Sequence, residues 1–180
     1  MPADTFELFE TKEASMDTQA WVDQYDAHVA NTIRRFGTFI QYVGGEGECS
    51  CGGCEDVEDD SPSFAYTVGL FGLGHPELLI FGVDSHTAAH LLNELSRRIR
   101  GGENLVAGQM IEVDGFPSQI VPEEVPNPGD IVFTANDFYR RPDTASVPVL
   151  QLSYDQAGLF PWDSGFADPG RQPRPGTFTA

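Results

Sequence analysis

The stretch FAYTVGLFGLGHPELLIFGVDSHTAAHLLNELSRRIR, residues 64–100, decides the fold. Residues 64–71 and 77–82 are rich in aromatic, β-branched and aliphatic side chains, so each is predicted to form a strand. A helix follows from Asp84 or Ser85, and its apolar residues fall within about 100° of arc at 3.6 residues per turn: Ala88, Leu91, Leu92, Leu95 and Ile99. The stretch therefore predicts two neighbouring strands and one helix that packs on their sheet.

The residues before this stretch predict a second helix and another strand. From about Thr18 to Phe36, apolar residues recur at steps of three and four, as on one face of an amphipathic helix: Val22, Tyr25, Val29, Ile33 and Phe36. Asp17 or Thr18 can cap this helix, and Gly37 can end it. Residues 38–43 are β-branched and aromatic, which predicts a strand.

The residues after this stretch predict further strands. Residues 105–113 and 119–125 flank an Asp-Gly dipeptide that is typical of hairpin turns. Residues 130–139 fit a short helix. Residues 147–154 are a mainly apolar run that predicts a strand, and Pro148 favours an edge position or a bulge at its start.

This order of elements predicts a single α+β domain with a mostly antiparallel β-sheet and two main helices packed on it. The domain is expected to span residues 17–163 and to carry an acidic, Cys-rich insert at 44–63. An acidic extension at 1–16 precedes it. A tail rich in Pro and Gly follows at 164–180 and is expected to lie on the surface without regular structure.

The charge of the chain restricts its partners. It has 28 acidic and 10 basic residues, a net charge of −18, and residues 36–96 contain neither Lys nor Arg. Binding to phosphate backbones or anionic membranes needs basic patches, so nucleic acid and membrane are not expected as partners. The charge is typical of a solubilising acidic surface. A basic protein partner, or mimicry of the charge of DNA, is the alternative.

The composition also bears on the compartment. No run of about 20 apolar residues occurs, so no membrane span is expected. The first thirty residues lack an apolar run as well, which argues against a signal peptide. Clustered thiols without a secretion signal favour a reducing compartment, and the protein is expected to be cytoplasmic.

Two adjoining motifs carry a family resemblance. The segments Tyr66-Thr67-Val68-Gly69-Leu70 and Gly74-His75-Pro76-Glu77-Leu78 resemble the bacterial and phage family DUF4262. Further similar segments lie at 92–95, 106–109, 150–152, 154–155, 158–162 and 172–173. The resemblance covers roughly residues 35–176. It implies no catalytic assignment, and the cysteines of the insert are not part of the pattern associated with the family.

The three cysteines of the chain, Cys49, Cys51 and Cys54, lie within six residues of the insert. Cys51-x-x-Cys54 has the spacing of half a tetrahedral zinc site, and Cys49 can add a third thiolate. The surrounding acidic residues stabilise a bound cation and oppose free thiolates, so they favour zinc over a reactive cysteine. The fourth ligand would be His28, His75, a carboxylate or a group from a second copy of the chain, as in a homo-oligomer. Redox exchange, or a loop whose cysteines have no role, is the alternative.

His75 is the main candidate for chemistry outside the insert. It lies in the loop between the two predicted strands, and Glu77 follows two residues later; such a pair can act as a general base and its orienting group. Tyr66, Asp155 and Trp162 are further ligand-binding candidates within the motifs of the resemblance. The alternative is structural: His75 and Glu77 would hydrogen-bond the turn, since nothing completes a nucleophile–base set.

His86 and His90 are spaced by four on the second predicted helix, as pairs of metal ligands often are. They lie on the face opposite the apolar one, and the glutamate of a metalloprotease motif is missing. We interpret them as surface histidines.

Three classes of function follow. The first, favoured by the cysteines, is a zinc-binding module with a regulatory or binding role. The second is a small-molecule-binding protein or enzyme with a site around His75. The third is an acidic protein-interaction factor. The sequence contains no phosphate-binding loop, dinucleotide glycine motif or Gly-x-Ser-x-Gly elbow, so it does not decide whether the protein is an enzyme.

Overall fold

The computed structural model describes residues 7–44, 61–142 and 144–180, with side chains described from Thr18 onward. The regular elements, in chain order, are α1 (Glu7–Phe36), β1 (Phe39–Val43), β2 (Phe64–Val68), β3 (Glu77–Phe81), α2 (Ser85–Arg100), β4 (Ile120–Glu124), α3 (Phe133–Phe138) and β5 (Val149–Tyr154). Short 3-10 turns lie at Phe71–Leu73 and Pro128–Asp130. None of the described helices combines the length and the apolar character needed to cross a membrane.

The described strands form one mixed sheet in the order β1-β2-β3-β5-β4. All pairs are antiparallel except β3 and β5, which are parallel. The predicted neighbours β2 and β3 pair with each other. Val43 at the end of β1 pairs with Phe64 at the start of β2, so the insert connects two adjacent strands. The predicted single α+β domain is confirmed, with one parallel pairing in its sheet.

Helix α2 has the position and the buried face that its spacing predicts. The carboxylate of Asp84 caps it by accepting the backbone amides of His86 and Thr87, each at 3.0 Å. All the residues of the predicted apolar face are buried: Ala88, Leu91, Leu92, Leu95 and Ile99. They pack in one cluster with Leu78 and Ile80 of β3, so α2 covers one face of the sheet.

Helices α1 and α3 cover the opposite face. Side chains alternate along a strand, so Tyr66 of β2 and Leu79 of β3 point away from α2 and belong to a second cluster. Val29 of α1 and Ala135 of α3 pack in this cluster. The sheet therefore has an apolar layer on each face.

Helix α1 differs from its prediction at the start and along its apolar face. It begins at Glu7 instead of about Thr18, within the segment expected to be an extension. Val29 is buried, whereas Val22 and Phe36 are 37% and 57% exposed. A helix of 30 residues is about 45 Å long, and strands of this length span only about 20 Å. The sheet therefore covers only part of the apolar face of α1.

Two details predicted for the C-terminal half differ in the structure: the strand at 105–113, and the edge position that was one of the two alternatives for Pro148. Residues 105–113 do not form a strand, and Ile111 makes an isolated bridge to Ile120 of β4. Strand β5 lies inside the sheet between β3 and β4, although its proline favoured an edge. Pro148 is compatible with this position because it precedes β5, and its carbonyl accepts the amide of Glu77 at 2.9 Å.

The C-terminal residues 164–180 form neither helix nor strand, and they are anchored in the core. The side-chain amide of Gln172 is buried and exchanges two hydrogen bonds of 3.1 Å with the backbone of Tyr154, as a neighbouring strand would. Phe178 packs on Phe64 and Phe81, with ring centroids 5.4 and 5.0 Å apart. This segment therefore completes the sheet face that carries α1 and α3.

Candidate functional site

His75, the predicted centre of a small-molecule site, is buried in the loop between β2 and β3, with 4% of its surface exposed. Its Nδ1 lies 2.7 Å from the carbonyl oxygen of Pro76, and its Nε2 accepts the amide of Leu105 at 3.2 Å. These partners fix the neutral tautomer with the proton on Nδ1. Both ring nitrogens are thus bonded to backbone groups, an arrangement that fixes the loop.

Glu77 is fully buried, and its carboxylate is the centre of a closed hydrogen-bond network. The hydroxyl of Thr67 donates to Oε2 at 2.6 Å. The backbone amides of Gly69, Leu70 and Phe71 donate to the two oxygens at 2.8, 3.3 and 3.0 Å. We call these groups the Glu77 network. Its four donors satisfy a carboxylate that would otherwise be costly to bury.

Two opposing effects act on the pKa of Glu77, the residue at the centre of the Glu77 network. Burial raises the pKa of Glu77, while the hydrogen bonds from Phe71, Thr67 and the neighbouring amides lower it. Tyr139, after α3, adjoins the network, and its hydroxyl accepts the amide of Gly72 at 2.9 Å. Burial, and then the charge of Glu77, raise the pKa of Tyr139 to about 12. The network therefore ties the loop after β2 to the end of α3.

The other three candidate residues lie elsewhere. Tyr66 is buried, its hydroxyl accepts the amide of Thr134 at 3.2 Å, and burial raises its pKa. Asp155 closes a turn by accepting two backbone amides at 2.6 and 2.8 Å. Trp162 lines an open cleft. The structure does not bring these three side chains together with His75.

The cysteines of the predicted zinc site lie outside the described residues. Within the residues that the structure describes, no group of three or more His, Cys, Asp and Glu side chains could hold a metal ion. Of the histidines expected as a fourth ligand, His75 is bonded as above, and His28 lies beside Phe39 at the start of β1. The insert begins after Val43, at the opposite end of β1 from Phe39.

His86 and His90 are exposed on α2, as predicted.

A cleft of about 660 Å³ lies along the outer edge of β4. It is lined by Ala107, Gly108, residues 121–126, Trp162, Arg174 and Pro175. The outer edge of β4 is paired at Ile120 with Ile111 and at Pro122, whose carbonyl accepts the amide of Gly108 at 2.8 Å. The backbone of Glu124 continues this outward series and faces the cleft. We call this cavity the β4 cleft.

Trp162 is held in the β4 cleft from two sides. Phe160 stacks parallel to it, with ring centroids 4.6 Å apart, and the guanidinium of Arg174 lies 5.4 Å from its ring centroid. Arg174 forms an ion pair of 2.9 Å with Glu123, whose other oxygen accepts the hydroxyl of Ser153 at 2.7 Å. The charged groups of this wall are therefore bonded to each other, and their positions are set before a ligand arrives.

A second cleft, of about 500 Å³, lies between α1 and α3. Its lining combines aromatic rings, acids and one cation: Trp21, Tyr25, Phe138, Asp26, Asp137 and Arg140. The rings of Trp21 and Tyr25 are stacked, 5.6 Å apart and 10° from parallel. Trp21 is 65% exposed. We call this cavity the α1–α3 cleft.

Hydroxyl groups form the polar floor of the α1–α3 cleft. The hydroxyl of Tyr25 donates to the side-chain oxygen of Gln41 and lies 3.3 Å from the hydroxyl of Thr134. The amide of Thr134 in turn donates to Tyr66. The floor is thus connected to β1, β2 and α3.

The acids of the α1–α3 cleft, unlike Glu123 of the β4 cleft, form no ion pair with a described side chain. Asp26 and Asp137 are exposed, and among the described side chains neither forms an ion pair. The guanidinium–ring contacts of the described residues are at Phe36, Phe71 and Trp162, and not at the rings of this cleft. Two carboxylates and an exposed indole face are therefore available to a ligand.

The sequence did not predict the α1–α3 cleft, because its two acids, Asp26 and Asp137, are more than one hundred residues apart. One feature of the sequence indicated the cleft. Trp21 adjoins Val22 but lies off the face defined by the other apolar residues of the helix. This position places its large ring at the edge of the core.

The comparisons with known proteins identify a family. The model of DUF4262, described as a domain of unknown function, matches residues 32–167. The matched range contains all five described strands, the Glu77 network and most of the lining of the β4 cleft, whereas residues 7–31 of α1 precede it. No curated protein and no solved structure matches the chain.

Proposed function

The chain belongs to the DUF4262 family of domains of unknown function, and we propose that it is a binding protein that holds a small molecule in the β4 cleft. The observation that supports this best is a convergence of distant segments. Ala107 and Gly108 belong to one segment of the family resemblance and Trp162 to another, and they line one cavity together with two residues of the C-terminal segment, Arg174 and Pro175. Its volume of about 660 Å³ is typical of small-molecule sites, which hold roughly 300–1,000 Å³.

The lining of the β4 cleft favours a ligand with an apolar body and a hydrogen-bonding edge. Three proline rings and the exposed part of Trp162 supply apolar surface. The backbone of Glu124 supplies one donor and one acceptor. A guanidinium has five N–H donors, so Arg174 can hold Glu123 and still donate to a ligand.

A binding role is favoured over acid–base catalysis by the position of the predicted base. Both nitrogens of His75 are bonded to backbone groups, and the carboxylate of Glu77 accepts four donors. Neither residue lines the β4 cleft. The proposal therefore moves the expected small-molecule site from His75 to Trp162.

The two tryptophans of the chain provide the test. Trp21 and Trp162 line different clefts, so protein labelled with 5-fluorotryptophan should give one ¹⁹F NMR signal for each cleft. Trp21→Phe and Trp162→Phe variants assign the signals. A fragment collection is then screened, and we expect a subset of fragments to move the Trp162 signal alone.

Arg174→Ala should weaken the binding of those fragments about tenfold, the effect of losing a hydrogen bond to a charged group. Arg140→Ala removes a cation from the other cleft and is the matched control. If no fragment moves the Trp162 signal, or if the shifts are unchanged in Arg174→Ala, the β4 cleft is not the binding site.

We propose zinc binding by Cys49, Cys51 and Cys54 as a second function, with a regulatory or structural role. The Cys-x-Cys-x-x-Cys spacing and the acidic neighbours support it. The described flanks are compatible with it, since the insert leaves β1 at Val43 and returns at Phe64, its partner in β2. A metal-bound loop there can form without any change in the pairing of the sheet.

Elemental analysis of the untagged protein tests the zinc proposal. We expect about one zinc per chain, clearly less in Cys51→Ser, and none in the variant with all three cysteines changed to serine. Circular dichroism should show that a chelator leaves the helices and the sheet folded. Equal metal content in the wild type and the triple variant would eliminate the zinc site.

The charge and the thiols support the remaining proposals. A net charge of −18 favours a basic protein as partner and disfavours nucleic acid and anionic membranes. The clustered thiols favour a cytoplasmic location. A zinc ligand from a second copy would produce a homo-oligomer, and light scattering before and after chelation should then show a loss of mass per particle.

A further inference from the structure

We propose that the α1–α3 cleft binds an alkylammonium cation, either a free organic amine or the side chain of a lysine. This site is separate from the β4 cleft, and its ligand differs in chemistry. Three features of the cleft support the proposal: an exposed aromatic face, two carboxylates without an ion-pair partner among the described residues, and an apolar wall along α1.

The aromatic face belongs to Trp21. One side of its indole is stacked on Tyr25 at 5.6 Å, and 65% of the residue remains exposed. The negative face of an indole attracts cations more strongly than the other aromatic side chains do. The protein already contains such a contact, between Arg174 and Trp162 at 5.4 Å. The rings of the α1–α3 cleft have no such contact with a described guanidinium.

The carboxylates determine the sign of the ligand. Asp26 is supplied by α1 and Asp137 by α3, so the two acids come from different walls. Arg140 lines the same cleft and offsets one of them, which leaves a net negative charge. The floor adds one acceptor: the hydroxyl of Tyr25 donates to Gln41 and lies within reach of the Thr134 hydroxyl, so one of its lone pairs remains able to accept an N–H group. An anion would meet repulsion here.

The apolar wall distinguishes an alkylammonium from a metal ion. Val22, Val29 and Ala30 of α1 line the cleft, and they can pack against methylene groups. A hydrated metal ion would gain nothing from this surface or from the rings. A primary amine on a short alkyl chain places its charge between the acids and its chain along the helix, and the volume of about 500 Å³ accommodates both.

The first experiment titrates the protein labelled with 5-fluorotryptophan with n-butylammonium chloride. We expect a saturable shift of the Trp21 signal and none of the Trp162 signal. Sodium chloride at equal ionic strength controls for screening, and n-butanol, which has the same chain without the charge, controls for apolar contact. Equal shifts with n-butanol or sodium chloride would overturn the proposal.

Charge variants give the second experiment. Asp26→Asn and Asp137→Asn should each weaken binding about fivefold, whereas Arg140→Ala should strengthen it, since a like charge is removed. Glu103→Gln changes the net charge by the same amount as each Asp→Asn change, but Glu103 follows α2 on the other face of the sheet. Its effect should stay within about twofold. An effect of Glu103→Gln equal to that of Asp137→Asn would mean general attraction to an acidic protein, and no site.

A comparison of n-butylammonium with the peptide acetyl-Gly-Lys-Gly-amide, which carries the same single charge, identifies the source of the cation. Tighter binding of the peptide, by about tenfold or more, indicates a protein partner, because the backbone beside the lysine then contributes contacts. A peptide that binds less than about tenfold more tightly than n-butylammonium, or more weakly, indicates a free amine. Failure of both ligands to move the Trp21 signal overturns the site, while the proposal for the β4 cleft, which is followed through Trp162, stands or falls separately.

Discussion

The Glu77 network and the α1–α3 cleft are two acidic regions that adjoin the same short helix, α3, and they use their carboxylates in opposite ways. Tyr139, just after α3, adjoins the network, and Phe138, the last residue of the helix, lines the cleft. In the network one carboxylate accepts four donors from the protein itself. In the cleft two carboxylates are exposed and form no ion pair among the described residues.

This difference separates structural acids from acids that are available to a ligand. A buried carboxylate must be satisfied from within the fold, because an unpaired charge away from water is very costly. An exposed carboxylate is satisfied by water and can exchange that water for a ligand. We therefore expect the acidic residues to differ in their effect on the free energy of unfolding, with Glu77 at the large end and the two acids of the α1–α3 cleft at the small end.

Removal of the central carboxylate should have the largest effect. Glu77→Ala leaves a buried hydroxyl and three backbone amides without their acceptor, and each lost partner costs about 1–3 kcal/mol if nothing replaces it. Because water can satisfy part of the site, we expect a total loss of about 3–5 kcal/mol in urea unfolding. Glu124→Ala, at an exposed acid of β4, should change the stability by less than about 0.5 kcal/mol. Similar losses of unfolding free energy for the two variants would contradict the distinction between a structural acid and an exposed one.

Removal of one donor should have an intermediate effect. Thr67→Val keeps the shape of the side chain but removes a hydroxyl that donates to Glu77 at 2.6 Å and accepts the amide of Leu78 at 2.9 Å. We expect a loss of about 1–3 kcal/mol. In a Glu77→Gln background the same substitution should cost less, because the two residues act as one unit. Additive losses in this double-mutant cycle would contradict a closed network.

The pH dependence of stability should show which effect dominates at Glu77. Burial raises the pKa of Glu77 above its ordinary value of 4.5, so the folded protein binds this proton more tightly than the unfolded one. The contribution of Glu77 to stability is then fully present below pH 4.5 and falls as the pH rises towards the raised pKa. The slope cannot exceed about 1.4 kcal/mol per pH unit for one proton.

Urea unfolding of the wild type and of Glu77→Gln, measured at several pH values from 4 upward, isolates this contribution, because the variant does not titrate at this position. We expect the difference between them to shrink as the pH rises. A difference that grows with pH would mean that the four hydrogen bonds outweigh burial, and that the network holds a carboxylate at every pH above its ordinary range.

Local patterns predicted those parts of the fold that depend on local physics. The spacing of Leu91, Leu95 and Ile99 predicted the buried face of α2 because the helical period alone brings these residues together. The strands of residues 64–82 were equally visible as apolar runs. The parallel pairing of β3 with β5 was not, since it depends on a connection that includes α2, β4 and α3. The extent of α1 beyond the sheet likewise follows from relative lengths, which periodicity does not contain.

The candidate site shows the same division. A histidine followed by a glutamate in a glycine-rich loop fits either a catalytic pair or a bonded turn, and only the position of Leu105 and of the loop amides favours the turn. Trp162, one of the ligand-binding candidates within the motifs of the resemblance, lines the β4 cleft instead of a site at His75. The α1–α3 cleft depends on contacts between α1 and α3, so no single segment could predict it.

The smallest effects on stability are expected in the α1–α3 cleft, and they complete the comparison. Asp26→Asn and Asp137→Asn alter exposed carboxylates without a described ion pair, so each should change the free energy of unfolding by less than about 0.5 kcal/mol. The double variant should be close to the sum of the two. Urea unfolding of the three variants beside Glu77→Ala tests this directly.

A loss above about 1 kcal/mol for either single variant would show that these acids support the packing of α1 on α3. In that case their carboxylates would belong with Glu77 among the structural acids, and a lowered affinity for n-butylammonium in the same variants could no longer be assigned to the loss of a ligand contact. Stability that stays constant while affinity falls is the result that separates the two regions.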